Sequence, residues 1–241
     1  MMSNRRKWLG MALVTVWCWS TAHPNETLPA QAPGQLAGPQ PPWPDSFLSR
    51  VEALALLQTL NAELLGHDSA TLTLERWCAA HRLAFPAQII ALRVADADKV
   101  PTREQRRELA VTATEPVRYR RVKLLCGVQV LSEADNWYVP GRLSAEMNTL
   151  LDGSNAPFGK VVQALHFRRH TLSSSLLWQP LPEGWEMSPA AVRIGAGDLA
   201  IPARVLQHRA VLTLPDGTPF SEVIETYTRS VLAFPIGQPD R

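Results

Sequence analysis

An excess of charge of one sign is what this sequence lacks most plainly. It holds 24 lysines and arginines against 22 aspartates and glutamates, and so even a balance argues against a broad binder of nucleic acid or other polyanions, which needs a basic face. The small positive surplus is local. Arg5, Arg6 and Lys7 lie in the first 22 residues, which carry no acid, and beyond them the balance becomes 21 to 22. Long apolar runs are missing too: the stretch from Trp8 to Trp19 is about a dozen residues, short of the roughly 20 that span a bilayer. Cysteine is scarce, with only Cys78 and Cys126 beyond that stretch. The pair could form one disulfide or stay as buried thiols among apolar neighbours. There is no phosphate loop, Gly-x-Ser-x-Gly elbow, His-Glu-x-x-His or dinucleotide fingerprint. His166 and His170 would stand about 13 Å apart on a strand, too far for one ion. Neither a cofactor nor a metal is expected.

What is present begins with a targeting pattern. A basic n-region, a short apolar run and Ser20-Thr21-Ala22 predict a signal peptide over residues 1–22, cleaved after Ala22, with an uncleaved membrane anchor as the alternative. A periplasmic or secreted location follows, with no membrane span once the signal is removed. Residues 23–44 contain seven prolines and a single charge, Glu26, and read as an extended, unfolded linker. Residues 45–241 then form one α+β domain, with roughly 190 residues between Asp45 and Phe234, enough for a single sizeable core. Nothing calls for an assembly, and a monomer is expected.

Helices come first. Phe47, Val51, Leu54, Leu57, Leu60 and Leu64 recur at helical spacing, so a helix is predicted from Ser46 to Gly66, with Ser49 and Glu52 as a capping box. A second helix is predicted over residues 72–81, after the polar entry at Asp68 and Ser69. Strand-like runs follow at residues 88–96, 117–126 and 129–140, and a helical turn is expected after Pro101. Ser144 caps a further helix, and Pro157 opens another. A long strand candidate with a serine-rich middle runs from His166, and two last strands flank Asp216-Gly217, a strong hairpin signal. The serines Ser173–Ser175 read as ordinary strand or bulge residues. Helices followed mostly by antiparallel strands define an α+β layout with helices packed on one antiparallel sheet.

The segment Val117–Pro140, VRYRRVKLLCGVQVLSEADNWYVP, is the most informative. Arginines within a strand are unusual, and a guanidinium held on a sheet suits a small carboxylate, which it grips through two parallel hydrogen bonds. Asp135, Asn136, Trp137 and Tyr138 could line a ligand site or form a packed strand end. An arginine strand ending in Leu124-Leu125-Cys126, a strand ending in Val139-Pro140, the turn Pro157-Phe158-Gly159-Lys160 and a glutamate on the last hairpin together resemble chorismate pyruvate-lyase. That enzyme removes pyruvate from chorismate to leave 4-hydroxybenzoate, and its fold is shared by the effector domains of some bacterial transcription regulators. The resemblance runs from about Leu64 to Pro235.

It implies a small carboxylated ring as ligand. The substrate-binding arginine falls on Arg121, with Arg120 as its competitor one residue away, on the more apolar face with Val122, Leu124 and Cys126. The backbone amide of the proline turn falls on Phe158, and the glutamate that meets the ring hydroxyl falls on Glu225, the candidate catalytic residue. Ala70 takes the place of a methionine over the substrate, within Asp68-Ser69-Ala70-Thr71, and implies a larger or differently shaped pocket. Two functions are implied: elimination of pyruvate from chorismate or a related carboxylated ring without a cofactor, or binding of an aromatic carboxylate without catalysis.

Overall fold

A computed structural model of the chain describes residues 43–95, 97–188 and 192–235. The expected signal peptide, residues 1–22, and nearly all of the expected linker lie outside the described residues. The described chain is α+β: five α-helices and six strands, β1 to β6, all antiparallel, in the sheet order β1-β2-β3-β6-β5-β4.

The first helix, α1 (Phe47–Gly66), is capped by Ser46, whose hydroxyl accepts from the Ser49 amide at 3.0 Å. The capping box expected at Ser49 and Glu52 is therefore displaced by one turn. Ser49 is buried and its hydroxyl is bonded to that of Ser46 at 2.8 Å, so it cannot serve as the cap itself. Leu57, Leu60 and Leu64 are fully buried against the sheet, each contributing about 1.5–3 kcal/mol of apolar transfer. Helix α2 (Ala70–Ala80) begins two residues earlier than its apolar spacing suggests, because the Ser69 hydroxyl accepts from the Leu72 amide and fixes the first turn. Trp77 anchors it, donating its indole N–H to the Val231 carbonyl at 2.8 Å. Cys78 of α2 is joined by a disulfide to Cys126 at the end of β2, with Cα atoms 6.4 Å apart.

Strand β1 (Ile89–Arg93) is an edge strand beside β2 (Arg118–Cys126). Strand β2 turns through Gly127 into β3 (Gln129–Tyr138). Gly127 has φ +56° and a Cβ there would sit 2.7 Å from that of Ala84, so both backbone and packing require glycine. Burial alternates without a break along β2: Arg120, Val122, Leu124 and Cys126 are buried on the face that α1 and α2 cover, and Tyr119, Arg121 and Lys123 face the other way. Helix α3 (Arg103–Glu108), with a full Thr102/Gln105 capping box, packs on that opposite face, beside Leu109, Trp137 and Val139. Helix α4 (Ala145–Gly153) and the single turn α5 (Phe158–Val161) lead to β4 (Arg168–Leu176), the other edge. The register of β4 against β5 shifts between Thr171 and Ser173, the bulge its serines suggested. Strands β5 (Arg204–Thr213) and β6 (Pro219–Thr228) close the sheet through Asp216-Gly217, with Gly217 at φ +88°. Among the described residues no helix is long and apolar enough to cross a membrane.

Candidate ligand-binding site

The inner face of the sheet is not completely filled by helices. Between it, the first turn of α2 and α5 lies a cavity of about 40 Å³ whose mouth opens to solvent. Val122, Leu124, Ala134 and Val223 form its floor, Phe167 and Leu212 its far wall, and Ser69–Thr71 with Phe158–Gly159 its roof. The roof is held tightly. Lys160 of α5 reaches Glu75 of α2 at 2.5 Å, and the same carboxylate oxygen accepts the Ile89 amide of β1 at 2.9 Å. A Cβ on Gly159 would lie 3.0 Å from both the Ser69 and Thr71 hydroxyls, so glycine sets how closely the two roof elements approach.

Against these apolar walls stand a few polar groups, and the arginine nearest the ligand space is Arg120. It lines the cavity and is only 4% exposed. One guanidinium nitrogen donates to the Ala156 carbonyl at 3.1 Å, Nε is buried without a partner, and no carboxylate among the described residues pairs with it. Burial, aided by the charge of Arg93, pushes its pKa down to about 10, and the opposing influence of Tyr138 and Asp152 offsets this only in part. Ala70 and Thr71, in the first turn of α2, also line the cavity, and amides this early in a helix have no intrahelical acceptor. Asn136 of β3, opposite Arg120 in the sheet, accepts from Ser221 at 2.5 Å and also lines the space.

At the other end Arg169 of β4 and Glu225 of β6 form a buried ion pair of 2.6 Å, with side chains 3% and 8% exposed. The Tyr227 hydroxyl donates to the same Glu225 oxygen at 3.1 Å. Burial pulls the Arg169 guanidinium down, but the charge and hydrogen bond of Glu225, with Tyr227 and Asp68, together outweigh it and its pKa is raised; burial, reinforced by Glu225, drives the Tyr227 phenol well up. Asp68 fixes the rim by accepting the Arg169 amide at 2.8 Å and pairing with Arg168. Across the sheet from Glu225, His208 is fully buried, with Nε2 at 2.8 Å from Asn61 and 3.1 Å from Ser174. Burial pushes its pKa down to about 4, so the ring is neutral at ordinary pH.

Of the residues singled out in the sequence, Ala70, Phe158 and Glu225 come together around this cavity. Arg121 does not. It lies on the outer face, 3.8 Å from Glu133 and 3.9 Å from Asp135. The reason is the two-residue period of a strand: the alternation that buries Val122, Leu124 and Cys126 carries Arg120 inward and Arg121 outward. Asp135 and Trp137 share the outer face, whereas Asn136 and Tyr138 point inward. Arg169 escaped the sequence reading. Its only signal was the Arg168-Arg169 doublet, on an edge strand too exposed on both faces to show which side is inner. Among the described residues no cluster of histidine, cysteine and carboxylate side chains could hold a metal.

Sheet and cavity together define a single-sheet α+β protein with a partly enclosed cavity, apolar in its walls and cationic at one end. The chain belongs to the same family as the uncharacterized protein y4mC of Sinorhizobium fredii, to which it is 55% identical over 197 residues, covering 81% of this chain and 83% of that protein. No protein-family model matches. Among solved structures the chain is similar to PhnF from Mycobacterium smegmatis, at 14% identity and TM-score 0.45 over 73% of this chain and 71% of that one. It is also similar to the possible transcriptional regulator YydK from Bacillus subtilis, at 16% identity and TM-score 0.37, spanning 62% of each chain.

Proposed function

We propose that the protein binds a small ligand bearing a carboxylate on a largely apolar ring, held in the cavity between the sheet and α2. The observation that carries this reading is Arg120: a guanidinium 4% exposed, with an unpartnered Nε and no salt-bridged carboxylate among the described residues, lining an apolar space. A buried charge without a counter-ion is costly, and native proteins keep one where a ligand supplies the missing partner. The first turn of α2 lines the same space, and a helix N-terminus favours an anion. Titration calorimetry with benzoate and 4-hydroxybenzoate tests it. Binding by the wild type and loss of binding in Arg120→Met support the reading, and failure of every aromatic acid to bind rejects it.

A lyase acting on chorismate or a similar ring is the second reading, favoured by Glu225, whose carboxylate faces the same cavity two strands away from Arg120. From strand spacing and register the two Cα atoms are about 12 Å apart, enough to bracket one ring. Release of 4-hydroxybenzoate from chorismate by the purified protein would establish it, and no release would leave a binding protein. We place the protein in the periplasm or outside the cell, as a monomer. The supports are the signal-like residues 1–22 and the Cys78–Cys126 disulfide, a bond that persists in oxidising compartments. Fractionation with N-terminal sequencing checks this: a cytoplasmic chain starting at Met1 would reject it.

A further inference from the structure

We infer that Arg169 sets the charge specificity of the cavity, making it select monoanions over dianions. The inference rests on the ligand-binding reading and concerns the end of the cavity remote from Arg120. Two arginines and one glutamate lie buried around the space: Arg120, Arg169 and Glu225. Arg169 is engaged by Glu225 at 2.6 Å, so it offers no free charge to a ligand, and the three together carry a single positive charge, at Arg120. Asp68, which also lines the space, is paired with Arg168 at the exposed rim, so a ligand with one carboxylate neutralises the buried part of the site. A ligand with a second carboxylate would bring it towards Glu225, a like charge in a water-poor space, where such a juxtaposition is strongly unfavourable.

The hydrogen bonds specify the far end further. Arg169 and the Tyr227 hydroxyl both donate to the same Glu225 oxygen, Oε2. The other oxygen, Oε1, receives no hydrogen bond from the described residues, while Glu225 lines the cavity. Arg169 thus helps to hold one oxygen of the carboxylate and leaves the other for a ligand. That atom accepts from a donor on the ligand, and it repels a second acid. Arg169 does this without meeting the ligand's own carboxylate, so it is a positioning residue rather than a ligand clamp.

The test compares benzoate, 4-hydroxybenzoate and benzene-1,4-dicarboxylate on the full chain by titration calorimetry. Wild type is expected to bind the dicarboxylate at least about 30-fold more weakly than 4-hydroxybenzoate. Glu225→Gln frees the Arg169 charge and is expected to shift that ratio towards the dicarboxylate by about 10-fold or more. Removing the pair as a unit, Arg169→Gln with Glu225→Gln, avoids leaving a lone buried charge and is expected to shrink the ratio by several-fold. This second variant also guards against misfolding of the first. A ratio unchanged in both variants, while benzoate still binds through Arg120, would overturn the inference and leave the binding reading intact. If no acid binds the wild type, the binding reading itself falls and this inference with it.

Discussion

Replacing Arg120 by methionine should make the empty protein more stable and the ligand-binding protein useless. Methionine keeps the length of the side chain and fills the same apolar surroundings without a charge. Burial lowers the Arg120 pKa from its ordinary value to about 10. Each factor of ten in proton affinity is about 1.4 kcal/mol, so holding the cation in place costs the empty fold on the order of 3 kcal/mol. The sign follows from proton counting. At neutral pH folded and unfolded chains both hold the proton, and the cost is present in full; it is relieved only as the pH rises through about 10, where the folded chain releases its proton before the unfolded one. The substitution also removes the hydrogen bond to the Ala156 carbonyl, a loss of about 1 kcal/mol. The expected net gain is about 1–3 kcal/mol, or a rise of roughly 2–10 °C in Tm for a domain of this size. Urea unfolding and thermal melts, each with and without benzoate, read both effects. Ligand at 100 times its Kd should protect the wild type by about 2.7 kcal/mol and leave Arg120→Met unprotected. If the variant is less stable than wild type without ligand, Arg120 is a structural residue held for its bond to Ala156, and the reasoning fails.

Other predictions concern the frame around the cavity. Reduction of Cys78–Cys126, which closes a loop of 48 residues, should lower stability by up to about 4 kcal/mol, measured by urea unfolding with and without a reductant; an unchanged midpoint would mean the bond is not formed. His208 is neutral when folded, with its pKa pushed down to about 4, while the unfolded ring takes a proton near pH 6.5. Its contribution is therefore present above about pH 6.5 and is lost as the pH falls towards 4, by roughly 3 kcal/mol. His208→Gln should flatten that part of the stability profile, and identical slopes in both proteins would contradict it. Gly159→Ala places a methyl 3.0 Å from the Ser69 and Thr71 hydroxyls, which should cost about 1 kcal/mol of stability and weaken benzoate binding; unchanged affinity would show that the roof is not part of the site.

Most of the fold was legible because its signals are local. Apolar spacing marked α1, the polar entry at Asp68 and Ser69 marked α2, the Ser144 cap marked α4, and Asp216-Gly217 marked the last hairpin. The cap of α1 was misplaced by one turn because Ser46 and Ser49 are both serines ahead of an apolar run, and only burial of Ser49 tells them apart. Ala70, Phe158 and Glu225, singled out through short motifs, line the cavity, and so does Arg120, whereas Arg121 faces outward. Counting residues back from Leu124-Leu125-Cys126 pointed to Arg121, whereas the apolar alternation Val122, Leu124, Cys126 pointed to Arg120, and the alternation reflects the force that orients a strand. Arg169 was out of reach for a physical reason: β4 is an edge strand, mostly exposed on both faces, so no hydrophobic pattern records which of its side chains turn inward. Its partner Glu225 lies 56 residues away, and the pair exists only once β4, β5 and β6 are laid side by side.

The central claim, that an unpaired buried arginine on β2 receives a ligand carboxylate, is tested most directly by titrating benzoate into the wild type, Arg120→Met and Arg121→Met. Loss of a charge-assisted, buried contact of about 2–5 kcal/mol predicts that Arg120→Met binds at least roughly 30-fold more weakly. Arg121→Met, altered on the outer face of the same strand, should bind like the wild type. Equal binding by all three proteins, or a loss confined to Arg121→Met, would contradict the account.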